Sequence, residues 1–123
     1  MKLFRPVGTK ELELIEQSGF TAFPPRLPEQ PIFYPVLNVE YATEIAEKWN
    51  AKLNDDKKGY VTEFDVDDAF ASRYEVHIVG ASHHAELWVP AEELDEFNRH
   101  IIGKIKVIKE FRNLFFKKVL TLT

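Results

Sequence analysis

Cysteine is absent from all 123 residues. That excludes disulfides, thiolate-bound zinc and a cysteine nucleophile. Glycine is sparse, and its five positions (8, 19, 59, 80 and 103) are too scattered for a Gly-rich phosphate loop. Ser18, Ser72 and Ser82 lie in no nucleophile-elbow context, which leaves a serine hydrolase without support. No apolar run approaches the roughly 20 residues that a membrane-crossing helix needs. Nor does an apolar stretch follow the charges of Met1-Lys2-Leu3-Phe4-Arg5-Pro6, as a signal peptide requires. These absences lead us to expect a cytoplasmic protein with no membrane association. A broad basic face is missing too, since the net charge is −4, so bulk nucleic-acid binding is not expected.

What is present is an ordinary globular mixture, 45% hydrophobic and 29% charged. The length suits one domain around one core. The charge is uneven. Residues 104–123 carry six cations against Glu110 alone, +5, which leaves −9 on the remainder. We therefore expect a single domain over 1–111 and a basic, apolar tail over 112–123. That tail is either a solvated end or a contact for a partner protein or a second copy, giving a homodimer.

The periodicities predict an α+β chain. Leu3-Phe4-Arg5 begins a strand that Pro6 ends. Thr9 is expected to cap a helix that stops at Gly19. Phe20 to Pro31 holds four prolines and reads as an ordered surface loop, with Arg26 available to a ligand or a carboxylate. Ile32-Phe33-Tyr34 is a short strand. Asn38 caps a helix whose inner face is Ala42, Ile45, Ala46, Trp49 and Leu53, while Glu40, Glu44 and Glu47 face water. From Tyr60 the period becomes two, and two further strands, ending at His83–Val89, are expected to form a hairpin about Gly80-Ala81-Ser82. Pro90 starts a helix ended by Gly103, and Lys104 to Phe111 is a last strand with Ile105 and Val107 inward. The order argues against a parallel doubly wound sheet.

The chemistry concentrates at His83–Val89. On an alternating strand His84, Glu86 and Trp88 share one face, and Ala85, Leu87 and Val89 the other. A carboxylate inside an apolar strand needs a reason, because an unpaired buried charge is costly. The reason is either an edge strand with one wet face, or a catalytic or ligand-binding acid. Arg5 could clamp a phosphate bidentately or make a surface ion pair. One of Phe33 and Tyr34 must pack in the core, and the other could stack on a flat ring. Metal is not expected. Adjacent histidines on a strand point to opposite faces, so His83 and His84 would not share an ion, and His84 with Glu86 makes only two ligands.

Three stretches carry a family likeness: Leu3-Phe4-Arg5-Pro6-Val7-Gly8, Ile32-Phe33-Tyr34 running into Glu40-Tyr41-Ala42-Thr43, and Glu86-Leu87-Trp88-Val89. Together they resemble the ADP-ribosyltransferase fold. That fold has an early strand bearing Arg or His, a short strand with an aromatic or a Ser-Thr-Ser motif, and a later strand bearing the catalytic Glu. Over roughly residues 2–111 the chain is also similar to short bacterial proteins labelled "ADP-ribosylation/crystallin J1". Arg5-Pro6-Val7-Gly8, Phe23-Pro24-Pro25-Arg26-Leu27-Pro28, Phe33-Tyr34-Pro35 and Pro90-Ala91-Glu92-Glu93-Leu94 carry that similarity. Crystallin J1 itself resembles ADP-ribosyl-hydrolases, which are larger, all-helical and rich in paired acids. This strand-rich chain fits the transferase fold better.

The resemblance implies a split β-sheet core with two to three helices, and NAD as substrate. It implies that Glu86 holds the nicotinamide-ribose hydroxyl and stabilises the oxocarbenium-like transition state. Arg5, with Arg26, would grip the nucleotide, and Phe33 or Tyr34 would stack on nicotinamide. His84 and Trp88 would lie on the acceptor side. Arginine-modifying members carry Glu or Gln where His84 stands, which argues against arginine as acceptor. The Ser-Thr-Ser motif is replaced by Phe33-Tyr34-Pro35, which leaves open a catalytically silent module that binds a nucleotide or a protein.

Overall fold

The early strand β1 (Lys2–Val7) forms because Leu3 and Val7 alternate with more exposed neighbours and bury their side chains. It pairs antiparallel with β3 (Lys58–Val66), which pairs antiparallel with the long last strand β7 (Ile101–Arg112). A hairpin of β4 (Val76–Ile78) and β5 (Ala85–Leu87) lies further along, and β2 (Ile32–Phe33) pairs with β6 (Val89–Pro90). Val36 joins these parts by bridging Phe4 of β1 to Glu86 of β5. The backbone bonds are reciprocal: Phe4 and Val36 exchange N–H and C=O at 2.9 and 2.8 Å, and Leu37 and Leu87 extend the contact to β5. The resulting order is β4, β5, the Val36 segment, β1, β3, β7. This computed structural model describes residues 1–54 and 56–112.

The sheet separates two apolar clusters. One face carries Leu3, Val7, Phe64, Val66 and Leu87, packed with Phe23, Phe33 and Phe97. Phe23 lies 5.0 Å from Phe33 and 4.8 Å from Phe64 between ring centroids, in tilted and edge-on contacts. Each fully buried Phe or Leu of this set contributes roughly 1.5–3 kcal/mol by leaving water. The other face carries Val36 and Val61 beneath Ala42 and Ala46. Helix α1 (Thr9–Gln17) and helix α5 (Leu94–Arg99) supply Ile15, Leu94 and Phe97 to the first cluster. The Phe20–Pro31 stretch is a loop, as expected. It is clamped by Asn98, whose side-chain amide both accepts from the Phe23 N–H and donates to the Phe23 C=O at 2.9 Å.

Helix α2 (Val39–Ile45) begins at Asn38, whose side chain accepts from the Tyr41 N–H at 2.8 Å. Its expected inner face does not continue past Ala46. Trp49 and Leu53 are 60% and 68% exposed, and Ala51 is buried instead. The cause is a π-helical turn at Ala46–Asn50, ahead of the short helix α3 (Ala51–Leu53). The extra residue in that turn rotates everything after it by about 100°. Gly59 of β3 lies against this turn. A Cβ there would stand 2.3 Å from the Ala46 carbonyl oxygen, so only glycine allows the approach.

Other expectations change as well. Thr9 is the first residue of α1, not its cap, and its hydroxyl donates to Asp56. Pro90 closes β6, and a 3-10 turn (Ala91–Glu93) precedes α5. Gly103 does not end a helix. It sits at φ +74° inside β7, at a register shift between the Glu63 and Asp65 pairings, where a bulge needs a left-handed residue. Ile105 is buried as expected, but Val107, paired with Thr62 further along the strand, is exposed. Helical segments outnumber the two or three expected, since α2 is interrupted and α4 (Asp68–Ala71) adds a single turn. The chain is thus mixed α and β with small antiparallel sheets. No described helix is long and apolar enough to cross a membrane. Of the tail expected over 112–123, only Arg112 is described, and it closes β7 opposite Lys58; the homodimer contact falls outside the described residues.

Candidate functional site

Glu86 sits in the middle of β5, opposite His77 of β4. It is 8% exposed. Trp88, two residues on and on the same face, donates its indole N–H to Oε1 of Glu86 at 2.7 Å. The Tyr41 hydroxyl reaches down from α2 and donates to Oε2 at 3.0 Å. Both donors are neutral, and no ion pair to Glu86 occurs among the described residues. Burial, and then the bond to Glu86, pushes the Tyr41 phenol up to about 12. The carboxylate is therefore fixed in orientation without being neutralised.

Aromatic rings surround it. The Trp88 indole, 40% exposed, stacks flat on His77 at 3.7 Å between centroids and meets Tyr34 edge-on at 6.5 Å. The Tyr41 ring stacks on His84 at 4.3 Å. One helical turn beyond Tyr41, Glu44 receives two imidazoles. Nε2 of His83 lies 2.7 Å from Oε1, and Nε2 of His84 lies 2.8 Å from Oε2. Hydrogen bonds from the two imidazoles hold the Glu44 carboxyl below the usual carboxylate range.

This convergence corrects the expectation that His83 and His84 point apart. β5 begins only at Ala85, and both histidines lie in the turn before it. Turn geometry does not alternate faces. The turn is secured by Gly80 at φ +77° and by the His84 N–H donating to the Ala81 carbonyl at 3.0 Å. Glu44, expected to face water, is the meeting point instead.

The Arg5 region is built differently. Nε and Nη2 of Arg5 bind both oxygens of Glu11 at 2.7 and 3.0 Å, and Nη1 donates to the Tyr34 carbonyl at 3.3 Å. The guanidinium lies 4.6 Å from the Phe33 ring centre. Arg26 is close by and donates to the Ile32 carbonyl at 3.2 Å; burial, and then the neighbouring Arg5, lower its pKa. Arg5 shares the face of Leu3 and Val7, whereas Phe4, Val36 and Glu86 are bridged partners on the other face. The two residues expected to work together on NAD thus project from opposite sides of the sheet. Phe33 is a core ring and cannot stack on a ligand, while Tyr34 is exposed beside Trp88.

Of the expected site residues, the structure gathers Glu86, Trp88, His84 and Tyr34 along one surface. It places Arg5, Arg26 and Phe33 elsewhere. Tyr41, Glu44, His77 and His83 were not anticipated there. The one available signal was the three-residue spacing of Tyr41 and Glu44 after the Asn38 cap, which puts both on one side of a helix. Set against known protein families, curated proteins and solved structures, the chain matches none.

Proposed function

We propose that the Glu86 surface handles the ribosyl end of NAD, and that the chain is a domain of ADP-ribosyltransferase type, with a split sheet, that transfers ADP-ribose or cleaves NAD. The observation that carries this reading is the Phe4–Val36–Glu86 bridge. It lays side by side the three separated stretches on which the resemblance rests. The environment of Glu86 agrees with it. As the bond from the ribose C1′ to nicotinamide breaks, its electron pair leaves with nicotinamide and positive charge develops on the ribose. A carboxylate held by neutral donors, and itself mostly buried, is suited to stabilise that charge. Water or an acceptor nucleophile then bonds to C1′ and loses a proton. Exposed Trp88 and Tyr34 offer flat faces for the departing ring.

One change to the expected roles follows. Arg5 is already engaged with Glu11 and serves the core, so it is no longer assigned the phosphate grip. That engagement favours a second reading, a silent module of the same fold that binds a nucleotide or a protein without cleaving it. Nicotinamide release from NAD, measured with the wild-type protein and with Glu86→Gln, separates the two. Release by wild type that falls at least a hundredfold in the variant supports catalysis. Saturable NAD binding by calorimetry without release supports the silent module. Neither binding nor release at millimolar NAD removes both nucleotide readings.

A further inference from the structure

We infer that Glu44, His83 and His84 form a binding site for a divalent transition-metal ion of the Zn²⁺ class, with its outer coordination positions open to water or to a ligand. The inference does not depend on NAD. Among the described residues this is the one cluster of three such side chains with ligand atoms all within 4.8 Å of one another. On a tetrahedral zinc ion with bonds of about 2.0 Å, neighbouring ligand atoms lie about 3.3 Å apart. The present Nε2–Oε distances of 2.7 and 2.8 Å need to open only slightly to admit the ion. Two histidines and one carboxylate are a donor set that borderline cations accept readily, and three protein ligands leave the vacancy typical of reactive rather than purely structural zinc.

The ligands are also held from behind. The Asn38 side-chain amide donates to the His83 carbonyl at 2.6 Å, tying the turn to the start of α2. Tyr41 lies flat against the His84 ring and restricts its rotation. Glu44 stands on α2 itself, so helix and turn are locked to one another. All three side chains are a quarter to a third exposed, which gives an ion a path in.

Binding requires a change at His84. Nδ1 now accepts from the Ala81 N–H at 3.3 Å, which leaves Nε2 carrying the proton that faces Glu44. With metal on Nε2, the proton of neutral His84 resides on Nδ1, and the Ala81 amide turns to water. Ala81 is exposed and its bond is long, so the exchange costs little.

The test uses the full chain and Zn²⁺ alone. Calorimetry is expected to give one site per chain, weakened at least tenfold in each of Glu44→Gln, His83→Ala and His84→Ala, with circular dichroism checking the fold. Nitrogen NMR of the unaltered protein provides a readout that no folding defect can confuse. The Nε2 resonances of His83 and His84 should shift together on Zn²⁺ addition, while those of His77 and His100 stay in place. Absence of saturable binding at millimolar Zn²⁺ overturns the proposal. So does binding that leaves the His83 and His84 resonances unmoved, or that survives all three substitutions.

Discussion

Two charged residues are equally buried, Arg5, next to Phe4 on β1, and Glu86, which Val36 bridges to Phe4, yet their surroundings differ in kind. Arg5 meets an opposite charge through two short bonds, a carbonyl and a ring face. Among the described residues Glu86 meets only two neutral donors, beneath a surface of exposed rings. A buried charge that is fully paired within its own chain ties segments together. A buried carboxylate that is oriented but not neutralised keeps its capacity for positive charge brought by something else. The Arg5 side is thus read as structure and the Glu86 side as a site, although the residue types alone suggested a common task.

The contrast can be broken most forcefully at Arg5. Arg5→Met leaves Glu11 and the Tyr34 carbonyl without their partner. The expected loss is about 2 kcal/mol by urea unfolding, less than for a wholly buried pair because Glu11 keeps partial contact with water. A variant as stable as wild type would return Arg5 to the list of ligand-binding residues. A smaller effect is expected from Trp88→Phe, which removes the 2.7 Å bond to Glu86 but keeps a ring against His77. About 1 kcal/mol should be lost, together with any ordering of Glu86 by the indole. If nicotinamide release were intact in that variant, the orienting role of Trp88 would be withdrawn.

The smallest effect is a pH dependence. The folded-state pKa of Tyr41 is raised from 10.0 to about 12, so the native state holds this proton more tightly than the unfolded chain does. The associated stability is present in full below pH 10 and is lost as pH rises from there towards about 12. Tyr74, raised first by burial and then by its bond to Glu93, acts in the same direction. Tyr41→Phe should therefore reduce, but not abolish, the alkaline loss of stability, measured as the change in unfolding midpoint between pH about 9 and pH about 11.5. An identical alkaline slope in the variant would mean that the Tyr41–Glu86 bond does not persist in solution.

Several features were legible in the residues because they depend on neighbours along the chain. The period-two run from Tyr60 to Val66 became β3, and Asn38 capped α2 as its side chain requires. Glu86 and Trp88 share a face because residues two apart on an extended chain must do so. Other features failed for identifiable reasons. A π-helical turn leaves no mark in the apolar spacing that precedes it, so the spacing predicts Trp49 and Leu53 inward although both are exposed. The apolar alternation from Ala85 onwards predicts a strand that also takes in His83 and His84, but the strand begins only at Ala85.

The mixture of helix and antiparallel strand, the ordered proline-rich loop and the oddity of a carboxylate in an apolar strand are all written in the order of the residues. These follow from backbone preferences and side-chain alternation, which act over a few residues. Which charges meet is set by the folding of distant segments onto one another. Arg5 found Glu11 across a turn, whereas His83 and His84 found Glu44 from some forty residues away. Such meetings depend on sheet register and on the packing of α2 over the hairpin, and contacts between distant segments set both.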